Sequence, residues 1–188
     1  LAACVLGIVA LGGAGLEAAV PLIARYDFAS PAGGGAVVTD RGPFALHGSL
    51  PAEARFVADP ERGCAVHLPG GRTRVVLGRG EPFDRLTHDF TVAVWVRPDR
   101  APGGAAAPIL TKRPGWWAAR PFGLGLRGDG VLEAVVHDGQ DRWLHGPPLA
   151  PGVWHHVALA VSESEAVLYH DGTAVSRVIH RGRLHANA

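Results

Sequence analysis

The residues best suited to contact a ligand are two adjacent tryptophans, Trp116 and Trp117, in a stretch rich in glycine, proline and alanine. Three cationic residues lie near this pair: Lys112, Arg113 and Arg120. An indole ring presents a flat apolar face that stacks on the C–H face of a pyranose, while nearby polar groups bind its hydroxyls. We therefore predict that Trp116 or Trp117 lines a carbohydrate site. The alternative is that one tryptophan covers the core beneath its own loop.

A second cluster, Gln140 to Trp143, places an amide, a carboxylate, a guanidinium and an indole in four consecutive positions. We interpret it as lying at the edge of a loop, where side chains remain accessible to a ligand. Asp141 and Trp143 are therefore predicted to join Trp116 and Trp117 as ligand-binding residues.

The ten histidines raise the question of a metal site, and the adjacent pair His155 and His156 is the most obvious candidate. Adjacent side chains of a strand point to opposite faces, so these two rings cannot chelate one ion from a regular strand. His155 shares a face with Val157, whereas His156 shares the other face with Trp154. We expect both histidines to pack structurally, with ligand contact as the alternative.

Composition narrows the class of protein. The 18 cationic and 17 acidic residues give a formal net charge of +1 and form no basic stripe, so nucleic-acid binding is not predicted. The chain is 47% hydrophobic and contains 26 glycines and 15 prolines, which favours many short strands over long helices. Its 188 residues have room for one domain of about 150 residues and an appendage.

Alternating residues indicate antiparallel strands, most clearly in the run from Phe90 to Val96. Tight turns are predicted at 128–130, 162–164 and 171–172. Consecutive strands at this spacing predict an all-β sandwich or barrel. The predicted strands are 22–28, 36–40, 54–58, 64–68, 74–77, 90–96, 109–112, 122–126, 131–137, 153–161, 165–170 and 173–179.

Residues 1–16 form an apolar run that ends at Glu17 and is followed by small residues. This pattern is typical of a secretory signal and its cleavage zone. A membrane span is the alternative, although about 20 apolar residues are normally needed. We predict a signal peptide or membrane anchor over residues 1–21, a folded domain over 22–188, and a secreted, periplasmic or cell-surface location.

One hairpin, Gly152 to Val161 followed by Ala166 to Gly172, resembles the signature of the laminin-G-like domains, which are concanavalin A-like jelly rolls. The resemblance extends from about Arg25 to Val175. Its other parts are Tyr26-Asp27-Phe28, Asp40 with His47-Gly48, Phe90 to Pro98, and Pro108 to Lys112.

The resemblance implies a jelly-roll sandwich of two curved antiparallel sheets. In relatives the usual roles are glycan binding, protein binding or adhesion in exported proteins. A further strand or two normally follows the position of Ile179, so we expect the domain to continue past Ala188 and this chain to be truncated at its C-terminus.

The resemblance also raises calcium binding near Asp40. Many relatives carry an asparagine four residues after the aspartate of this early loop, where this chain has Phe44, and some bind calcium nearby. Ca²⁺ prefers six to eight oxygen ligands. Asp40 is therefore either a calcium ligand or an aspartate that stabilises a turn.

Catalysis is not predicted. Glucanases with this fold carry carboxylates spaced as Glu-x-Asp-x-x-Glu along one strand, a pattern absent from this sequence, and the nearest pair, Glu163 and Glu165, falls in a turn. The sequence therefore predicts a non-catalytic binding module with carbohydrate as the leading ligand. A protein or cell-surface partner is the runner-up, followed by a purely architectural domain and a polysaccharide-cleaving enzyme.

Overall fold

The computed structural model describes residues 2–10, 21–29, 35–71, 73–78, 80–112 and 121–184. Strands dominate it, and its single helix in these ranges is one turn long. The elements are β1 (Ala2–Ala10), β2 (Leu22–Tyr26), β3 (Val37–Val38), β4 (Gly48–Ser49), β5 (Arg55–Asp59), β6 (Gly63–His67), α1 (Glu81–Asp84), β7 (Phe90–Arg97), β8 (Ala107–Thr111), β9 (Phe122–Leu126), β10 (Val131–His137), β11 (Asp141–Pro148), β12 (His155–Val161), β13 (Glu165–His170) and β14 (Thr173–Ile179).

Two antiparallel sheets form the body of the molecule. The larger has the order β14-β13-β12-β7-β1-β6-β5, with β2 also paired to β1, and the smaller has the order β11-β10-β9-β8. The short strands β3 and β4 pair separately. The predicted jelly-roll sandwich is therefore confirmed.

The core lies between the two sheets because each contributes one apolar face. On β7, the side chains of Phe90, Val92, Val94 and Val96 are buried, while the intervening residues are half-buried. The ring of Phe90 meets that of Phe122 on β9, with centroids 4.9 Å apart, which joins the sheets directly. Period-two patterning thus sets which face of each strand enters the core.

Two sequence predictions about strands need correction. Residues Asp141–Pro148 form strand β11 rather than the edge of a loop. Gly139, with φ of 107°, closes a tight turn before it, and Pro147 and Pro148 are tolerated because β11 lies at the edge of its sheet. Residues 74–77 form no strand, and only Val76 makes an isolated bridge, to Ser49.

Strand β1 lies inside the larger sheet. One of its edges pairs with β7, and the other pairs with β6 near Ala2 and with β2 between Leu6 and Val9. The signal peptide or membrane anchor over residues 1–21, and the domain boundary after it, stay predictions. Within the described ranges, no helix has the length and apolar character needed to cross a membrane.

Candidate ligand-binding site

The smaller sheet carries a polar and aromatic surface on the side facing away from the core. Its core side includes Leu124, Ala134 and Leu144, which are fully buried in the hydrophobic cluster. Alternation places the intervening residues on the opposite side. We call this side the outer face and define it by these residues: Gly123 and Gly125 on β9, Glu133, Val135 and His137 on β10, and Asp141, Trp143 and His145 on β11.

Strand register brings the outer face together. Asp141 lies opposite His137, Trp143 opposite Val135, and His145 opposite Glu133. The next strand contributes only glycines to this face, because Gly123 pairs with Val135 and Gly125 with Glu133. Directly opposed side chains in antiparallel strands are close enough to interact, so the face acts as one surface.

Exposure on the outer face is concentrated along the edge strand β11. Trp143 is 40% exposed, whereas Val135 is fully buried and Glu133 is 6% exposed. The side chains of Asp141 and His145 are 33% and 49% exposed. A ligand approaching this face would therefore first meet β11.

Two carboxylate–imidazole pairs bridge β10 and β11. His137 Nδ1 lies 2.9 Å from Asp141 Oδ1. Glu133 Oε2 lies 3.7 Å from His145 Nε2 across the same pair of strands. These groups supply both hydrogen-bond acceptors and donors on either side of the Trp143 indole, the combination that sugar hydroxyls require.

The turn between β10 and β11 forms a cavity of about 390 Å³, lined by Asp138, Gly139, Gln140, Arg142 and Arg181. Asp138 accepts hydrogen bonds from the main-chain N–H groups of Arg181 at 2.8 Å and Gln140 at 3.2 Å. Its carboxylate also accepts from Arg142 Nε at 3.3 Å. Burial alone would raise the pKa of Asp138, but these donors and the guanidinium hold it below its ordinary value.

The structure therefore unites Asp141 and Trp143, two of the predicted ligand residues, on one face. It adds Glu133, His137 and His145, which sequence reasoning missed because their proximity depends on the pairing of β10 with β11. Trp116 and Trp117 lie outside the described residues. Ligand binding by these four predicted residues stays a prediction.

Asp40 organises the loop after β3. Its Oδ1 accepts the main-chain N–H groups of Arg25 at 2.8 Å and Gly42 at 2.7 Å, and its Oδ2 accepts that of Leu46 at 2.8 Å. Asp40 is also 4% exposed. These bonds are the ones expected of an aspartate that stabilises a turn. Calcium binding by Asp40 stays a prediction.

Tyr26 packs beside this loop and is fully buried. Its hydroxyl donates to the carbonyl oxygen of Leu46. Burial, and then the nearby Asp40 carboxylate, raise the pKa of Tyr26 well above its usual range. The phenol is therefore neutral and keeps the proton that the hydrogen bond requires.

Comparison with known proteins decides the family. The family model Laminin_G_3, described as the concanavalin A-like lectin/glucanases superfamily, matches residues 69–188, more than half of the chain. The chain belongs to this superfamily. The matched residues include all of β7 to β14, and hence the whole outer face.

The superfamily fold is also found in a solved binding domain. The chain is similar to the crystal structure of the binding domain of Paraclostridial Mosquitocidal Protein 1, with a TM-score of 0.64 and 14% sequence identity. The similarity covers 79% of this chain but 40% of that one, so the chain spans less than half of the matched protein. At this identity the likeness shows a shared fold. No curated protein matches the chain.

Proposed function

We propose that this superfamily member is a non-catalytic carbohydrate-binding module whose ligand lies on the outer face along β11. The exposed indole of Trp143, with Asp141 and His145 two residues away on the same face, carries the proposal. The aromatic ring would stack on the apolar face of a sugar, and the flanking groups would bind hydroxyls.

The spacing of the acidic groups supports binding without hydrolysis. Asp141 is opposite His137, which lies four residues from Glu133 along β10. Four steps along a strand correspond to about 13 Å. Glycoside hydrolases hold their two carboxyl groups about 5–9.5 Å apart. The backbone positions of Glu133 and Asp141 therefore do not favour an acid–nucleophile pair.

A glycan array followed by calorimetry tests the binding site. The Trp143→Ala variant should bind the best glycan about tenfold more weakly or worse, because it removes the stacking surface. Phe44→Ala is the matched control, since Phe44 is also an exposed aromatic at 51% but lies in the loop between β3 and β4 and is not part of the outer face. Unchanged binding by Trp143→Ala, or an equal loss in the control, would refute the site.

Two further measurements test the remaining parts of this proposal. Replacing both Trp116 and Trp117 with alanine should weaken the same glycan if either indole contributes to the site. A reducing-sugar assay with mixed β-glucans should show no product above a buffer blank. Release of sugar by the wild-type chain would instead establish a polysaccharide-cleaving enzyme.

A protein or cell-surface partner is the second candidate, favoured by the edge strand β14. Ile179, at the end of β14, is 67% exposed. An exposed strand edge can pair with an extended segment of another protein. This candidate would be supported over carbohydrate binding if the chain bound no glycan on the array and if Ile179→Lys abolished its binding to a protein partner.

We also propose that the module acts outside the cytoplasm, as a secreted, periplasmic or cell-surface protein. The apolar run of residues 1–16 supports this location, and residues 1–21 would serve as its export signal or membrane tether. Fractionation of cells expressing the gene with a C-terminal epitope tests the location. Recovery only in the cytoplasmic fraction would refute it.

A further inference from the structure

We propose that His155, His170 and Asp171 form a binding site for a divalent transition-metal ion of the Zn²⁺ type. His155 Nδ1 lies 2.9 Å from His170 Nε2, and His170 Nε2 lies 3.1 Å from Asp171 Oδ2. The third side of this triangle, from His155 Nδ1 to Asp171 Oδ2, is 3.5 Å. Zn²⁺ holds such ligands at about 2.0–2.2 Å in a tetrahedron, which separates them by about 3.3–3.5 Å. The triangle therefore already has nearly the required size.

The hairpin of β12 and β13 places the two imidazoles side by side. His170 pairs with Val157, two residues after His155 and on the same face of β12. His155 and His170 are thus diagonal neighbours across the strands, within reach of each other's rings. The ring of His155 lies beside that of His170, whereas the ring of His156 lies beside that of Trp95. The two adjacent histidines therefore point to opposite faces of β12 and are not placed to bind one ion together.

The hydrogen bond of His155 to the main chain prepares it as a ligand. Its Nε2 lies 3.1 Å from the carbonyl oxygen of Ala150, which can only accept a hydrogen bond. Nε2 therefore carries the ring hydrogen of neutral His155, and the lone pair is on Nδ1, facing the site. Metal-bound histidines commonly make this carbonyl contact with their other nitrogen. The side chain of His155 is 8% exposed, so its orientation is held by packing as well.

Asp171 is held in place through its other oxygen. Its Oδ1 accepts the main-chain N–H of His156 at 2.8 Å, and its own N–H donates to the His156 carbonyl at 2.8 Å. Oδ2 therefore remains directed at the two rings. Burial alone would raise the pKa of Asp171, but the His156 N–H and the two imidazoles lower it, so the carboxylate is charged at neutral pH.

The donor set selects the class of metal. Two imidazole nitrogens and one carboxylate oxygen suit Zn²⁺ and similar ions, whereas Ca²⁺ prefers six to eight oxygens. Bound metal would take the place of the hydrogen on His170 Nε2, with the ring hydrogen moving to Nδ1. The Asp171 side chain is 49% exposed, so water and a metal ion can reach the cluster from this side. This site lies on the larger sheet and is independent of the proposed glycan site.

Calorimetric titration of the untagged, chelator-treated chain of residues 1–188 with Zn²⁺ tests the site. One Zn²⁺ should bind per chain, and Co²⁺ in its place should give the intense visible absorption of a tetrahedral site. Zn²⁺ affinity should fall about tenfold or more in His170→Gln and in Asp171→Asn. The asparagine retains an oxygen for the His156 N–H and tolerates the φ of 47° at this position.

His88→Gln is the matched control, because His88, Asp89 and Glu163 form another His–carboxylate group. This variant should bind Zn²⁺ as the wild type does. Nitrogen-15 spectra of the wild-type histidines give a readout that needs no substitution, since Zn²⁺ should shift His155 Nδ1 and His170 Nε2 selectively. Absence of saturable Zn²⁺ binding, unchanged affinity in both site variants, or loss of binding in His88→Gln would overturn the proposal.

Discussion

The indole N–H of Trp154 donates a 3.1 Å hydrogen bond to Oδ1 of Asp59, which lies 95 positions earlier in the chain. The same oxygen accepts the main-chain N–H groups of Glu61 and Arg62, each at 3.0 Å. The other oxygen, Oδ2, accepts from Arg97 Nη1 at 2.7 Å. One buried carboxylate thus joins the β5–β6 turn to β7 and to the residue before β12.

We expect Asp59→Ala to lower the melting temperature by several degrees, because its removal leaves four donors without their acceptor. Asp129→Ala is the matched control, since Asp129 pairs with Arg127 at the exposed surface. Its melting temperature should stay close to that of the wild type. Differential scanning calorimetry of both variants checks the prediction, which equal melting temperatures would contradict.

Stability should fall on the acid side of the pH range. For Asp59, burial alone would raise the pKa, but the N–H groups of Arg62 and Glu61, the Trp154 indole and Arg97 hold it below its ordinary value of 3.8. A lowered folded-state pKa contributes stability above the unfolded-state value, and this is lost as pH falls through the folded value.

The melting temperature of the wild type should therefore decline below about pH 4. In Asp59→Asn the decline should be shallower, because the titrating group is gone, although this variant starts less stable at neutral pH. Thermal melts at several pH values under constant ionic strength measure both slopes. Parallel curves for the two proteins would show that Asp59 does not contribute.

Replacement of Asp40 tests its role in the early loop. Asp40→Ala leaves three main-chain N–H groups without their acceptor, so we expect a loss of about 2–4 kcal/mol in the free energy of unfolding. Asp27→Ala, in the exposed pair with Arg41, should cost less than about 1 kcal/mol. Urea unfolding of the two variants gives the comparison, and similar losses would contradict it.

Calcium titration separates the two roles considered for Asp40. If its carboxylate only stabilises the turn, calcium added to the chelator-treated wild type should give no binding heat and no rise in melting temperature. Saturable binding that disappears in Asp40→Asn would instead identify Asp40 as a calcium ligand.

Gly128 is expected to tolerate no side chain. A Cβ atom there would lie 2.4 Å from the carbonyl oxygen of Gly104, whose loop packs against this turn. We expect Gly128→Ala to cost about 2–3 kcal/mol. Gly63→Ala is the control for backbone strain alone, because Gly63 has φ of 78° with open space around it, and should cost about 1 kcal/mol. The reverse order in urea unfolding would contradict the steric argument.

Much of the larger sheet could be predicted from local patterns. Strands β12, β13 and β14 are separated by recognisable turns and alternate with period two, so their residues indicate their buried faces and most of their extents, although β12 begins at His155 and not at the predicted residue 153. Strand β11 could not be predicted in the same way, because Pro147 and Pro148 oppose strand formation unless the strand lies at an edge. Edge position is a property of the whole sheet.

The candidate sites show the same division. Asp141 and Trp143 are chemically suited to a ligand and two residues apart, so sequence alone could select them. The meeting of His137 with Asp141, and of Glu133 with His145, depends on cross-strand register. The grouping of His155 with His170 likewise requires the diagonal geometry of a folded hairpin. Which of these side chains meet is set by the long-range pairing of strands and not by residue type.

The position of β1 has a consequence for proteolytic maturation. Because its backbone hydrogen-bonds to β7 along one edge and to β6 and β2 along the other, scission of the chain between β1 and β2 would produce a two-piece protein. The short fragment would remain bound as a strand inside the sheet. If it dissociated, the backbone N–H and C=O groups that pair with β1 would lose their partners, and another extended peptide could bind in its place.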